Sequence, residues 1–328
     1  MLFRVSSNLR LTWENRPGAV RVTEYRGGAD APPTIVEHRI NAQGFRGPEV
    51  AQPKPPGTYR VACLGDSHTF GTGVPEGATW PAHLERMLAA VGGADVEVMN
   101  CGVSAYDTQR EVLLLRERVL DYAPDLVLLQ YHVNDVSPRN ALGWKPPHSG
   151  RLARWTDPGS TGVLRRLRAV SRAASIALDR LHGYLLVREE SGLSLDGYAE
   201  ASPGWRMVCA GLVSARDLLA EQEVDFAVVL YPYLLRRGEH LSSHEAFRRV
   251  SDFCRSEGIP CLDTESAFLP YDVEALRVHP RDPHANAAAN RIFAGAVRDW
   301  LGTRLLASSG DGSGEGVLRT GGGAGDED

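Results

Sequence analysis

The chain has 328 residues, 43% of them hydrophobic, and a formal net charge of -5. That is apolar material for one large α/β domain or two ordinary ones, and so small a net charge gives no support to nucleic acid or another polyanion as the main ligand. The five cysteines, Cys63, Cys101, Cys209, Cys254 and Cys261, are widely spaced and mostly set in apolar runs, which speaks for reduced buried thiols and against a disulfide framework. Met1 to Arg21 has no continuous apolar segment of the secretory kind, and no run approaches the roughly 18 to 20 apolar residues of a membrane span, so the expected location is cytoplasmic.

Residues 1–57 are rich in Gly, Pro and charge and read as an N-terminal extension with short strands, among them Val20 to Thr23 and Ile35 to Ile40. From Tyr59 the pattern changes. Tyr59 to Leu64 is a buried-strand run ending at Gly65, Thr79 to Val91 has helical spacing, and Val96 to Met99 is a second strand. A helix from Thr108 to Tyr122 leads into a third strand, Leu126 to Tyr131. Phe226 to Leu230 and Ile259 to Leu262 follow as strands on either side of a helix around His244 to Glu257. Such alternation with short connections predicts a parallel five-stranded sheet covered on both faces. The predicted α/β domain covers residues 58–306, and a helical insertion at about 138–204 interrupts it. Within that insertion Thr161 to Arg188 reads as helix, and Arg151 to Arg188 carries eight Arg against two Asp. Most simply this is a solvated helix face; alternatively it is a surface for an acidic carrier protein or a membrane. Residues 307–328, nearly without apolar side chains, read as a disordered tail.

Several segments at strand ends carry residues suited to nucleophilic catalysis, which needs an exposed hydroxyl, a base and oxyanion donors. Ser67 follows the first strand in Gly65-Asp66-Ser67, where Gly65 allows a sharp turn at the carboxyl edge of the sheet. A lone triplet of this kind is more often an ordinary turn. Gly102, in Asn100-Cys101-Gly102 after the second strand, can bring a backbone N–H close to a ligand. Asn134 follows the third strand, with a side-chain amide able to donate to an oxyanion and Asp135 able to anchor its loop. In Asp282-Pro283-His284, Asp282 and Pro283 are accounted for as an N-cap and a first-turn proline of the helix from Ala285 to about Leu305. His284 is not, and a carboxylate two residues before an imidazole can orient it.

These segments resemble the blocks of the SGNH (GDSL-type) esterase and lipase superfamily, in order. Gly65 to Gly71 is similar to the nucleophile block, Asn100 to Ser104 to the glycine block, His132 to Asp135 to the asparagine block, and Asp282 to His284 to the terminal block. Ile40 to Gly47 is also similar to a lead-in of bacterial members with an N-terminal extension. The resemblance implies a three-layer α/β/α sandwich around a flavodoxin-like sheet, with Ser67 as nucleophile, His284 as base and Asp282 as its orienting acid. It implies an oxyanion hole made by the N–H groups of Ser67 and Gly102 with the Asn134 side chain, a small-molecule ester or acylated substrate, and no metal or organic cofactor. Two departures stand out: His132 replaces the usual glycine of the asparagine block, and Asp282 and His284 are two residues apart where three is common.

Three rival readings follow from the same residues. Asp66, His68, Asp107, Asn134, Asp135 and His284 could ligate a metal in a phosphoesterase. A non-catalytic binding protein could keep the fold, and an acyltransferase could use the same triad. His68 and His132 are candidate substrate-pocket residues. His83, His148, His182, His240, His244 and His279 have no partner pattern and read as surface or satisfied histidines, and the Gly65 to Gly73 stretch lacks the ending of a phosphate-binding loop.

Overall fold

A computed structural model of the chain describes residues 2–6, 11, 13–25, 34–90, 95–136, 195–279 and 282–309. The predicted helix Thr161 to Arg188, the basic stretch around it and most of the expected tail lie outside these residues. Among the described residues no helix is long and apolar enough to cross a membrane.

The N-terminal extension forms two antiparallel pairs, β1 (Phe3–Val5) with β2 (Trp13–Asn15) and β3 (Val20–Tyr25) with β4 (Thr34–Arg39). The α/β domain opens with β5 (Thr58–Leu64), the single turn α1 (Ser67–Phe70), α2 (Trp80–Ala89) and β6 (Asp95–Asn100). Next come α3 (Thr108–Leu114) and β7 (Leu126–Tyr131). The predicted helix over 108–122 is one helical run whose winding changes: a π segment covers Leu115–Val119 and a 3₁₀ turn Leu120–Tyr122. Beyond residue 194, α4 (Pro203–Glu221) leads to β8 (Asp225–Leu230), a hairpin of the two-residue strands β9 (Arg236–Arg237) and β10 (His240–Leu241), and α5 (His244–Ser256). The chain then runs through β11 (Cys261–Asp263), α6 (Glu265–Phe268), the pair β12 (Arg277–His279) and β13 (Asp282–Ala285), and α7 (Ala287–Ser309).

Five strands form one parallel sheet in the order β11-β8-β7-β5-β6. Counted along the chain this is the flavodoxin-like order 2-1-3-4-5, whose switch point lies between its first and third strands, here β5 and β7. Every residue of β7 and β8 is buried, as expected of strands covered on both faces. Strand periodicity divides their side chains between two cores. Val61, Cys63, Leu126, Leu128, Ala227 and Val229 pack with Trp80 and Leu84 of α2 and Phe293 and Val297 of α7. Ala62, Leu64, Val127, Leu129, Phe226 and Val228 face Val112 of α3, Val208 and Leu212 of α4, and Phe247 of α5. The molecule is a three-layer α/β/α sandwich.

One sequence expectation is corrected. Asp282 and Pro283 do not begin the last helix; they lie in β13, paired antiparallel with β12. Asn286 does the capping: its Oδ1 accepts the N–H groups of Ala288 at 3.0 Å and Ala289 at 3.1 Å. The helix also runs on to Ser309, past the expected start of the tail at 307.

The extension braces the first helical turn of the domain. Arg46, 2% exposed, donates from its guanidinium to the carbonyl oxygens of Phe70, Gly71 and Val74. His38 stacks on Phe70 and accepts the Gly73 N–H through Nε2 at 3.4 Å. Burial, with the nearby Arg46 charge, pushes His38 down from 6.5 to about 4. Between these values the unfolded chain takes up a proton that the folded chain refuses. The neutral imidazole therefore contributes its full stability above pH 6.5 and loses it as pH falls toward 4, by about 3 kcal/mol in all. Denaturant unfolding of wild type and His38→Gln between pH 7 and 4 should show the variant with a smaller acid-induced loss, by about that amount. Parallel curves would exclude His38 as the titrating group.

Candidate active site

Ser67 is the first residue of α1, so its N–H is one of those a helix start leaves without an intrahelical partner. Asp66 caps this turn, its Oδ1 accepting the His68 N–H at 2.9 Å. The turn is pinned from below by Gln130, a fully buried residue near the end of β7, whose Oε1 accepts from the Thr69 N–H at 3.2 Å and lies 2.8 Å from Thr69 Oγ1. Trp80 Nε1 donates to the same hydroxyl at 3.2 Å. Gly65 is required here for space: a Cβ would fall 2.1 Å from Thr69 Oγ1 and 2.6 Å from Gln130 Oε1.

His284, arriving on β13 from 217 residues away, places Nε2 at 2.9 Å from Ser67 Oγ. Its Nδ1 lies 2.5 Å from Asp282 Oδ1, which also accepts the His284 N–H at 3.1 Å. Burial alone would raise the Asp282 carboxyl, but the hydrogen bond and charge of His284 outweigh it and hold Asp282 below the usual carboxylate value. Both side chains stay about a quarter exposed, at 27% and 28%, leaving the imidazole within reach of solvent. Ser67, His284 and Asp282 thus form one chain of hydrogen bonds in which the two-residue spacing suffices, because an extended strand with a bulge sets it rather than a helix turn.

The three oxyanion candidates differ in their surroundings. Asn134 donates from Nδ2 to Asp66 Oδ2 at 3.2 Å, which uses one of its two amide hydrogens. Asp135 anchors this loop by accepting from Thr108 Oγ1 at 2.7 Å. Gly102 sits against α1 so closely that a Cβ would meet Phe70 N at 2.2 Å, but its own N–H donates to Asn100 Oδ1 at 3.1 Å. To serve an oxyanion that N–H must be shared with, or released from, the Asn100 amide. The Gly102 segment is tied to the Ser67 turn by Val103 N–H on Gly65 O at 3.0 Å, and to the N-terminal strands by Asn15 Nδ2 on Gly102 O at 3.0 Å.

His68 and His132 are both buried and stack at 4.3 Å between ring centroids, with His68 also 5.3 Å from the His284 ring and 4.8 Å from Tyr231. Tyr233 lies 6.0 Å from His132. Burial, then the neighbouring imidazoles, drives His68 well below its ordinary value, so it is neutral here. His132 is lowered by burial against an upward pull from Asp66. Burial also lifts the carboxyls of Asp135 and Glu111 well above the usual range. Donor atoms of Asp66, His68 and His132 come within 4.8 Å of one another. Both Asp66 oxygens accept hydrogen bonds, one holding the helix start and one Asn134, which gives this carboxylate a positioning role. Of the residues in the metal reading, Asp107 is likewise engaged, capping α3 and pairing with Arg110 at 2.8 Å.

Sequence reasoning missed Gln130, Thr69, Asn286 and the positioning role of Asp66. Asp66 and Asn286 carried a readable signal, an Asp or Asn immediately before a helix start.

The sequence profile of the GDSL-like lipase/acylhydrolase family matches residues 63–292, which span all four blocks. The chain belongs to that family. It is a hydrolase acting on ester bonds. None of the curated proteins matches the chain significantly. Solved structures similar to this hydrolase include a member of the lipolytic G-D-S-L family from Veillonella parvula DSM 2008, at 15% identity and a TM-score of 0.43, covering 74% of this chain and 97% of that one. An acetylxylan esterase from Geobacillus stearothermophilus is similar at 18% identity and a TM-score of 0.43, over 73% of this chain and 92% of that one. A two-domain esterase active on acetylated mannans is similar at 14% identity and a TM-score of 0.41, over 75% of this chain and 49% of that one.

The geometry at His284 makes Asp282→Asn a sharp test. The amide meets Nδ1 either with its NH2, which enforces the wrong tautomer, or with a neutral oxygen that cannot balance the imidazolium charge, so kcat on an activated ester should fall by about 10²- to 10⁴-fold with KM little changed. A variant within a factor of about two of wild type would remove Asp282 from the hydrolytic machinery.

Proposed function

We propose that this hydrolase is a serine esterase that removes a small acyl group, acetyl foremost, from a hydroxyl of a sugar or secondary metabolite through an acyl-enzyme. The observation that carries this reading is the 2.9 Å contact between Ser67 Oγ and His284 Nε2, with Asp282 on the far side of the ring. Ser67 Oγ attacks the ester carbonyl while its proton passes to His284 Nε2. The tetrahedral oxyanion is held by the Ser67 N–H and the second Asn134 amide hydrogen, with the Gly102 N–H joining by sharing its bond to Asn100. As the carbonyl–alkoxide bond breaks, His284 returns the proton to the leaving oxygen. Water then attacks the acyl-enzyme, giving its proton to His284, and the carboxylic acid leaves as Ser67 is reprotonated.

Preference for a small acyl group is supported by the buried ring pair His68 and His132, with Tyr231 and Tyr233 behind it. Where the family pattern has a glycine, His132 fills space beside the nucleophile.

A fluorophosphonate should label the wild type at Ser67 and not Ser67→Ala; equal labelling of both would overturn the nucleophile. Asn134→Ala should lower kcat on p-nitrophenyl acetate by about 10²-fold or more, as loss of one oxyanion donor does. Turnover of p-nitrophenyl acetate should exceed that of the decanoate, and His132→Gly should narrow the difference. A decanoate preference in the wild type would refute the small-acyl reading while leaving the serine mechanism standing.

A further inference from the structure

Away from the triad, the end of the sheet beside β8 and β11 gathers three side chains that hydrolysis does not use. His240 lies in the β9–β10 hairpin, and His244 and Glu265 are the first residues of α5 and α6. Glu265 Oε2 is 2.7 Å from His244 Nδ1, and Glu265 Oε1 is 3.5 Å from His240 Nδ1. The two imidazole rings stack at 3.9 Å with 21° between their planes. We propose that His240, His244 and Glu265 form a binding site for a divalent cation of borderline softness, with Zn²⁺ the best match.

The donor set is the first argument. Two imidazole nitrogens and a carboxylate suit zinc, and calcium and magnesium would want more oxygen. All three donor atoms lie within 4.8 Å of one another. Tetrahedral zinc with bonds of about 2.0–2.1 Å keeps its ligands about 3.3–3.4 Å apart. The His240 pair, at 3.5 Å, stands almost at that separation and the His244 pair, at 2.7 Å, has to open by roughly 0.6 Å; because a zinc ion lies in the plane of each imidazole that binds it, the exposed His240 ring also has to swing out of its stack on His244.

Charge is the second argument. The Glu265 side chain is only 6% exposed, and among the described residues its ion-pair partners are these two histidines, with no lysine or arginine. One divalent ion would supply the charge that balances this buried carboxylate.

Positioning is the third. Glu265 Oε1 accepts the Leu241 N–H at 2.9 Å, and the Glu265 N–H donates to Asp263 Oδ1 at 2.9 Å, so the carboxylate is held from behind as ligands of structural metals are. Thr264 Oγ1 bonds Leu230 O at 2.8 Å and fixes the turn to the end of β8. His240 is 54% exposed and His244 30%, which gives the ion a path in and leaves a fourth position for water. A cation here would join the hairpin, α5 and α6. The hairpin follows directly on Tyr231 and Tyr233, which stand against His68 and His132, so the metal would stiffen one wall of the catalytic cleft.

The test uses the full chain stripped with a chelator, with Zn²⁺ alone as probe. Competition against a chromophoric chelator should show one tight equivalent per chain, and added Zn²⁺ should raise the thermal midpoint. His240→Gln, at an exposed position outside the catalytic residues, should weaken that equivalent by about 10- to 100-fold or more and abolish the thermal shift. Its metal-free esterase activity should equal that of metal-free wild type. His244→Gln should behave alike in binding. No tight equivalent in wild type would overturn the site. Zn²⁺ affinity unchanged in both variants would do the same, by assigning the ion to other donors such as Asp66, His68 and His132. Neither outcome depends on the esterase reading.

Discussion

The turn between β5 and α1 constrains everything else in the catalytic half of the molecule. A serine hydroxyl can stand at the sheet edge only if the chain reverses within two residues, and the reversal brings the Gly65 backbone against Thr69 and Gln130 with no room for a Cβ. Once made, the turn must be held, because a four-residue helix has too few internal hydrogen bonds to be stable alone. Its support comes from every side: Asp66 capping from within, Gln130 and Trp80 from the sheet and α2, Gly102 packed against Phe70, and Arg46 closing its C-terminal carbonyls.

Much of that support is polar and buried. In a low-dielectric interior a satisfied hydrogen bond is strong and an unsatisfied one costly, so such networks hold one geometry and resist others. This gives the N-terminal extension a physical place in the enzyme. Arg46 and His38 reach the Ser67 turn from it, and Asn15 reaches Gly102. The same logic separates Asp66 from the other acids nearby. It bonds both the helix start and Asn134, coupling the Ser67 turn to the Asn134 loop, while Asp135 and Glu111 are driven by burial toward the neutral form.

How much of this was legible depended on the range of the interaction. Leu126 to Tyr131 reads as a buried strand because six consecutive buried residues leave a local apolar signature, and β7 has those limits. The helix over 108–122 was legible as a helix but not its π segment, since a change of winding leaves no mark in apolar spacing. Asp282 misled: Asp-Pro before an apolar helix satisfies every local rule for a cap, and only the pairing of β13 with β12 shows that the carboxylate turns to His284 while Asn286 caps. Gln130 gave no signal, being one polar residue in a strand whose value depends on what β5 and α1 place above it. His240 and His244 read as unpartnered because their partner, Glu265, lies more than twenty residues on.

Sequence alone determined the alternation of helices and strands, hence a parallel sheet with two covered faces, and the order of four polar segments at strand ends. Those follow from residue type and period, which act over a few positions. Tertiary structure alone decided that Ser67 and His284 meet, that His132 stacks on His68, and that the Gly102 N–H is already engaged by Asn100. These depend on strand order and on ångström-scale packing between elements distant in sequence, and no local propensity encodes either.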